Sequence, residues 1–167
     1  MVGSVTSLKQ GNLIMPLKKL DHDFFELIKR EHDELKDLLS QVRSAMRGQQ
    51  PDAQQVRQLI GDLYERIQSH FHHEEEGGYL SEALERAPRL TNLAGRLHEQ
   101  HETLSEMLGE LRNYVQQTVP TDELRADAWW KELDNQFHVF FNQLLGHETE
   151  EDKLIQEAFN RDVGTCD

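Results

Sequence analysis

Residues 53–80 read AQQVRQLIGDLYERIQSHFHHEEEGGYL, and their reading decides the fold class. Val56, Leu59, Ile60, Leu63 and Ile67 recur at steps of one, three and four, which places them on one face of an α-helix. At about 100° per residue, His70 and Glu74 fall within about 40° of the line through Leu63 and Ile67. They therefore extend the stripe that the helix must bury. A histidine and a glutamate one turn apart on the same face can hold one cation between them. Pro51-Asp52 ahead of this run offers a proline and a capping carboxylate, and Gly77-Gly78 should stop it.

The same periodicity extends outward in both directions. Toward the N-terminus, Phe25, Ile28, Leu35, Leu39, Val42 and Met46 form a stripe from Phe24 to about Met46, with His32 inside it. Asp21 or Asp23 is positioned to cap that helix, and residues 1–20 read as an N-terminal arm. Toward the C-terminus, Tyr79–Arg86 can form a short turn or two, closed by Pro88. A third helix is expected from about Leu90 to Gln117, with His101 near the centre of its stripe. Val119-Pro120-Thr121-Asp122 breaks and recaps the chain. A fourth helix follows from about Glu123 to Asn160, where His147 and Glu151 interrupt an apolar stripe that includes Phe137, Phe140 and Leu144. Four amphipathic helices with short breaks predict an all-α, antiparallel up-down-up-down four-helix bundle over residues 21–161, with a C-terminal tail at 162–167.

Composition fits that class. The chain has 167 residues, 37% hydrophobic and 29% charged, enough for one domain with a real core. A net charge of −13 argues against nucleic acid, whose phosphates need an excess of Lys and Arg. No apolar run approaches the roughly 20 residues of a membrane span, so no membrane partner is expected. No signal peptide is apparent at the start. The one cysteine, Cys166, has no internal disulfide partner, and a reducing cytoplasm is the default compartment.

Each predicted helix thus carries a histidine on its core face: His32, His70, His101 and His147. Two add a glutamate one turn on, Glu74 and Glu151. A lone core histidine is usually a packed residue, but an unpaired buried carboxylate costs several kcal/mol and needs a cation. Spacing alone does not select these residues, because His72/Glu76, His98/Glu102 and His22/Glu26 share it. The face does. His72 points away from its stripe, His22 and His98 sit at its flank, and His138 points away from the Phe137/Phe140 face. Imidazole with carboxylate suits iron, manganese or zinc. Six such ligands exceed one tetrahedral site and suit two ions sharing carboxylates. No histidine has a glutamate three residues before it, which disfavours the ferritin-like di-iron pattern.

With Glu31-His32-x-x-Leu35, His70-Phe71-x-x-Glu74-Glu75, His101-x-x-Leu104 and His147-x-x-x-Glu151 in order, the chain resembles the hemerythrin-like family, the HHE cation-binding domain, over about residues 20–160. The resemblance implies a non-haem, oxo- or hydroxo-bridged di-iron centre, with manganese or zinc as lesser alternatives. Glu74 and Glu151 would bridge the ions, and His32, His70, His101 and His147 would be terminal ligands. It implies O₂ or a related small molecule as partner, in oxygen or redox sensing, oxygen handling or iron handling. The alternatives are a di-iron enzyme acting on peroxide or nitric oxide, and a metal-stabilised interaction or sensory module. One departure stands out: the family's oxygen carriers have a fifth histidine at the position of Leu97. Water, His98, His73 or Glu75 could take its place. Asp152, beside Glu151, offers a second carboxylate one residue out of register.

Overall fold

The computed structural model describes residues 17–48, 50–76, 83–85 and 87–159, and the side chains from Glu26 to Ala158 within them. Four long helices account for most of these residues: α1 (Leu17–Arg47), α2 (Ala53–Glu76), α3 (Thr91–Val115) and α4 (Glu123–Phe159). A 3₁₀ turn, Pro88–Leu90, leads into α3. Among the described residues there is no strand, and no helix is long and apolar enough to cross a membrane. The expected all-α class is what the chain adopts.

The helix ends follow local chemistry. Asp52 Oδ1 accepts hydrogen bonds from the amides of Gln54 and Gln55 at 2.8 and 3.4 Å, and Asp122 Oδ1 accepts one from Arg125 at 3.1 Å. Both aspartates satisfy amides that lack an intrahelical partner. α2 ends at Glu76, immediately before Gly77-Gly78, whose own structure lies outside the described residues. α1 departs from expectation. It begins at Leu17, so Asp21 and Asp23 lie inside the helix and do not cap it. The physical reason is that Leu17-Lys18-Lys19-Leu20 contains no glycine, proline or competing polar cap, so the helix propagates back to the residue after Pro16. The four residues 17–20, read as part of an arm, are helical. The rest of the arm and the tail lie outside the described residues.

The helices pack in a ring, α1 on α2, α2 on α3, α3 on α4 and α4 on α1, consistent with a four-helix bundle. Long-range polar contacts tie them together. Glu34 of α1 pairs with Arg66 of α2 at 2.9 Å. Arg57 of α2 donates to the carbonyls of Val115 and Gln117, satisfying acceptors at the end of α3. Arg47 at the end of α1 holds Asp134 of α4 with two hydrogen bonds of 3.1 and 3.0 Å.

The core is divided. One apolar cluster takes Leu35 and Leu39 from α1, Leu63 and Ile67 from α2, Leu104 and Leu108 from α3, and Phe137, Phe140 and Leu144 from α4. A second, smaller one joins Ala83 and Ala87 to Leu90 of the 3₁₀ turn, to Ala94 and Leu97 of α3 and to Leu154 and Ile155 of α4. Along α3 the boundary between them falls at His101, and along α4 at His147 to Glu151. The histidines and carboxylates occupy a polar layer between two apolar ones.

A candidate metal centre between the apolar layers

All six residues singled out by the face argument are buried: His32, His70, Glu74, His101, His147 and Glu151. Their donor atoms form two groups. His32, His70, Glu74 and Glu151 have ligand atoms within 4.8 Å of one another, and so do Glu74, His101 and His147. Glu74 belongs to both. Its Oε1 lies 2.8 Å from His70 Nε2 and 3.9 Å from His32 Nε2, while Oε2 lies 3.1 Å from His101 Nε2. In the second group His101 Nε2 and His147 Nε2 are 3.2 Å apart. In the first, Glu151 Oε2 lies 3.4 Å from His32 Nε2. Two ligands about 2.1 Å from a shared ion and at right angles to it are about 3 Å apart, so these spacings match a common centre.

The hydrogen-bond balance points the same way. His32 Nε2, His70 Nε2, Glu74 Oε1 and both oxygens of Glu151 are buried without a hydrogen-bond partner. His70 Nε2 and Glu74 Oε1 are 2.8 Å apart yet not aligned as donor and acceptor. Both aim past one another. Buried polar atoms are almost always satisfied, and a cluster of unsatisfied ones on a shared point is what a cation would satisfy. The residues present therefore fit a metal ion.

Other groups hold three of these imidazoles by their far side. Glu31 accepts from His70 Nδ1 at 3.1 Å through Oε2 and from His73 Nδ1 at 2.7 Å through Oε1. Glu75 Oε1 accepts from His101 Nδ1 at 2.8 Å. Gln100 Oε1 accepts from His147 Nδ1 at 2.9 Å, and the Gln100 amide reaches Glu150. With Nδ1 occupied as a donor, His70, His101 and His147 present Nε2 inward, the tautomer a metal ligand requires. The Phe71 ring stacks on His101 at 4.0 Å and meets His147 edge-on at 5.6 Å, which fixes two ligand rings from their apolar side.

The family model for the hemerythrin HHE cation-binding domain matches residues 23–159. The chain belongs to that family. Comparison with curated proteins and with solved structures returns no significant match.

Within this HHE domain burial separates the candidates that the sequence left side by side. Glu151 is buried in the centre, whereas Asp152 is exposed and lines a surface cleft with Lys29 and Lys36. Leu97 is fully buried in the smaller apolar cluster and brings no donor. None of the three side chains considered for its place reaches the centre. His98 is exposed and turns to Glu75 at 3.0 Å, His73 is engaged by Glu31, and Glu75 stands behind the His101 ring. His72 and His138 are exposed, as their faces suggested, and the side chain of His22 lies outside the described residues.

Sequence reasoning missed Glu31 and Gln100, which hold imidazoles of this layer from behind, and the burial of Glu148 beside it. Glu31 and Glu148 are both buried. Each lies within about 60° of its helix's apolar stripe, so the angular test applied to the histidines would have found them. Gln100 is partly buried and its role depends on the partner helix, which no single-helix pattern reveals.

Electrostatics show how the HHE domain balances charge within this layer. For Glu74, burial opposes ionisation, but contacts with His101, His32 and His70 hold the carboxyl well below its usual range. Burial raises Glu151 to about 7, with the Glu74 carboxylate adding to it. His32 and His70 are raised to about 10 and about 9: burial works against their protons, and the facing glutamates outweigh it. His147 is lowered to about 4 by burial and by the neighbouring His101. The protonated imidazoles of His32 and His70 supply the positive charge that a cation would supply, and ion binding must displace their protons.

Proposed function

We propose that this HHE domain is a non-haem di-iron protein that binds or reacts with O₂ or a related small molecule. The observation that carries the reading is Glu74, whose two oxygens serve two separate groups of buried donors. His32, His70 and Glu151 would complete one ion's protein ligands, and His101 and His147 the other's. Glu151 would be the second bridging carboxylate. Imidazole and carboxylate together admit iron, manganese or zinc, and two ions sharing carboxylates suit iron chemistry with oxygen. Iron bound there supplies redox chemistry toward a small ligand. The chain's own part is to hold the donors by Glu31, Glu75 and Gln100, and to exclude water with apolar layers on either side.

The polarity of the bundle belongs to the same proposal. An antiparallel up-down-up-down course over residues 21–161 is supported by residue pairs whose numbers run in opposite directions. Glu31 meets His70 while Glu34 meets Arg66, and His32 meets Glu151 while Arg47 meets Asp134. A reducing, cytoplasmic setting suits such a centre.

A second reading, a di-iron enzyme acting on peroxide or nitric oxide, has one observation in its favour. Leu97 brings no donor to the His101/His147 group, so an ion held there would have a position open to a reacting ligand.

The test is anaerobic reconstitution with Fe²⁺ followed by an optical spectrum before and after air. The reading expects a near-ultraviolet oxo-to-iron charge-transfer band to appear on exposure. Reconstituted protein with bound iron and no such band would contradict it. Steady-state consumption of peroxide would favour the second reading.

A further inference from the structure

The His98/Glu102 pair and His72, set aside because they lie off the core faces, meet on the outside of the molecule. A cleft of about 350 Å³ opens between α2 and α3, and His72 and Glu75 of α2 line it together with His98 and Glu102 of α3. On α2 the pair is three residues apart and on α3 four, so each pair shares one flank of its helix. We propose that this cleft is an outer site for a divalent transition-metal ion, held by Glu75 and His98 with His72 and Glu102 beside them. It adjoins the buried centre through Glu75, which also holds His101, but does not rest on what that centre binds.

A surface His–Glu pair alone would be unremarkable, since such pairs contribute little. Glu75 is not free to behave as one. Its Oε1 is 3.0 Å from His98 Nδ1, a metal-ligand spacing, and 2.8 Å from His101 Nδ1, which donates to it from behind. His101 is buried and its Nδ1 proton pins the carboxylate in place. The 3.0 Å spacing between Glu75 and His98 matches two ligands on adjacent positions of one ion, at about 2.1 Å each. Gln68 and Ser105, hydrogen-bonded to each other at 2.9 Å, line the same cleft. The entropy cost of fixing a long surface side chain is thus already met for one of the two principal ligands.

The donor types define the ion. Imidazole beside carboxylate favours Zn²⁺, Fe²⁺ or a similar first-row ion, while Mg²⁺ and Ca²⁺ prefer oxygen ligands throughout. The outer ion is the weaker one, because its ligands are solvated.

The experiment is zinc stoichiometry by equilibrium dialysis on the untagged full-length chain, compared with the double variant His72→Ala/His98→Ala. Both substituted side chains are exposed, so circular dichroism should confirm an unchanged fold. The expected result is a difference of one zinc per chain: three in the wild type and two in the variant, with excess Mg²⁺ leaving both counts unchanged. If the buried centre takes no zinc, the counts become one and none, and the outer site still stands. Equal counts in the two proteins, whatever their value, would overturn it.

Discussion

Glu74 Oε2 stands 3.1 Å from His101 Nε2, while the other oxygen of the same carboxylate lies 2.8 Å from His70 Nε2. One side chain of α2 thereby joins donors of α1 and α2 to donors of α3 and α4. A carboxylate buried this deeply is tolerable only with positive charge on both sides. Protonated imidazoles supply it in the metal-free chain, and metal ions would supply it in the loaded one.

Glu31 is the clearest case of a residue acting on the centre through another. It orients His70 from behind without belonging to the donor group. Replacing Glu31 by Ala should weaken metal binding about 10–100-fold, the usual effect of losing a partner behind a ligand. Glu31→Gln, which keeps an acceptor for Nδ1, should lose less. Competition with a chelator of known affinity measures both, and unchanged affinity in Glu31→Ala would refute this role.

The pH dependence has a definite sign. His32 and His70 are raised from 6.5 to about 10 and about 9. Their contribution to the stability of the metal-free chain is complete below 6.5 and lost as pH climbs through those values. His147, lowered from 6.5 to about 4, contributes above 6.5 and loses that contribution as pH falls through 4. Metal binding runs the other way on the alkaline side, because ions need ligands free of protons. The gap in melting temperature between loaded and metal-free protein should therefore widen from about pH 6 to about pH 9. Thermal melts across that range would show a constant or shrinking gap if these histidines were not the ligands.

Leu97→His places a third imidazole beside His101 and His147. In iron-loaded protein it should fill the exchangeable position, lengthening the life of any O₂ adduct and lowering peroxide turnover by about tenfold or more. In the metal-free chain it should cost about 1–3 kcal/mol, since a polar ring replaces a side chain fully buried among apolar neighbours. Adduct decay and turnover both unchanged would show that position 97 does not govern reactivity.

Phe137 tests the scaffold separately from the site. It is buried in the larger apolar cluster. Phe137→Ala should lower unfolding free energy by about 3–5 kcal/mol in chemical denaturation while leaving metal stoichiometry unchanged under native conditions. A loss below about 1 kcal/mol would mean the cluster collapses to fill the space.

Much of this was legible from residue pattern alone, and the reasons differ by element. α2 reads cleanly because Asp52 caps it, Gly77 follows its last residue and one stripe runs its whole length. The six buried donors were legible because each lies on its own helix's stripe. The start of α1 was not, because two plausible caps, Asp21 and Asp23, sit inside an uninterrupted helix. Gln100 and the division of Glu74 between two groups were not, because both depend on which helices face each other. Glu151 lies on its stripe, while Asp152, about 100° further round the helix, is exposed as that angle implies.

The central claim is that Glu74 joins two metal ions, and its most direct test is iron stoichiometry in the wild type and in Glu74→Ala. The account predicts two irons per chain in the wild type and at most one, weakly held, in the variant. Two irons retained in Glu74→Ala, or no more than one in the wild type at saturation, would contradict it.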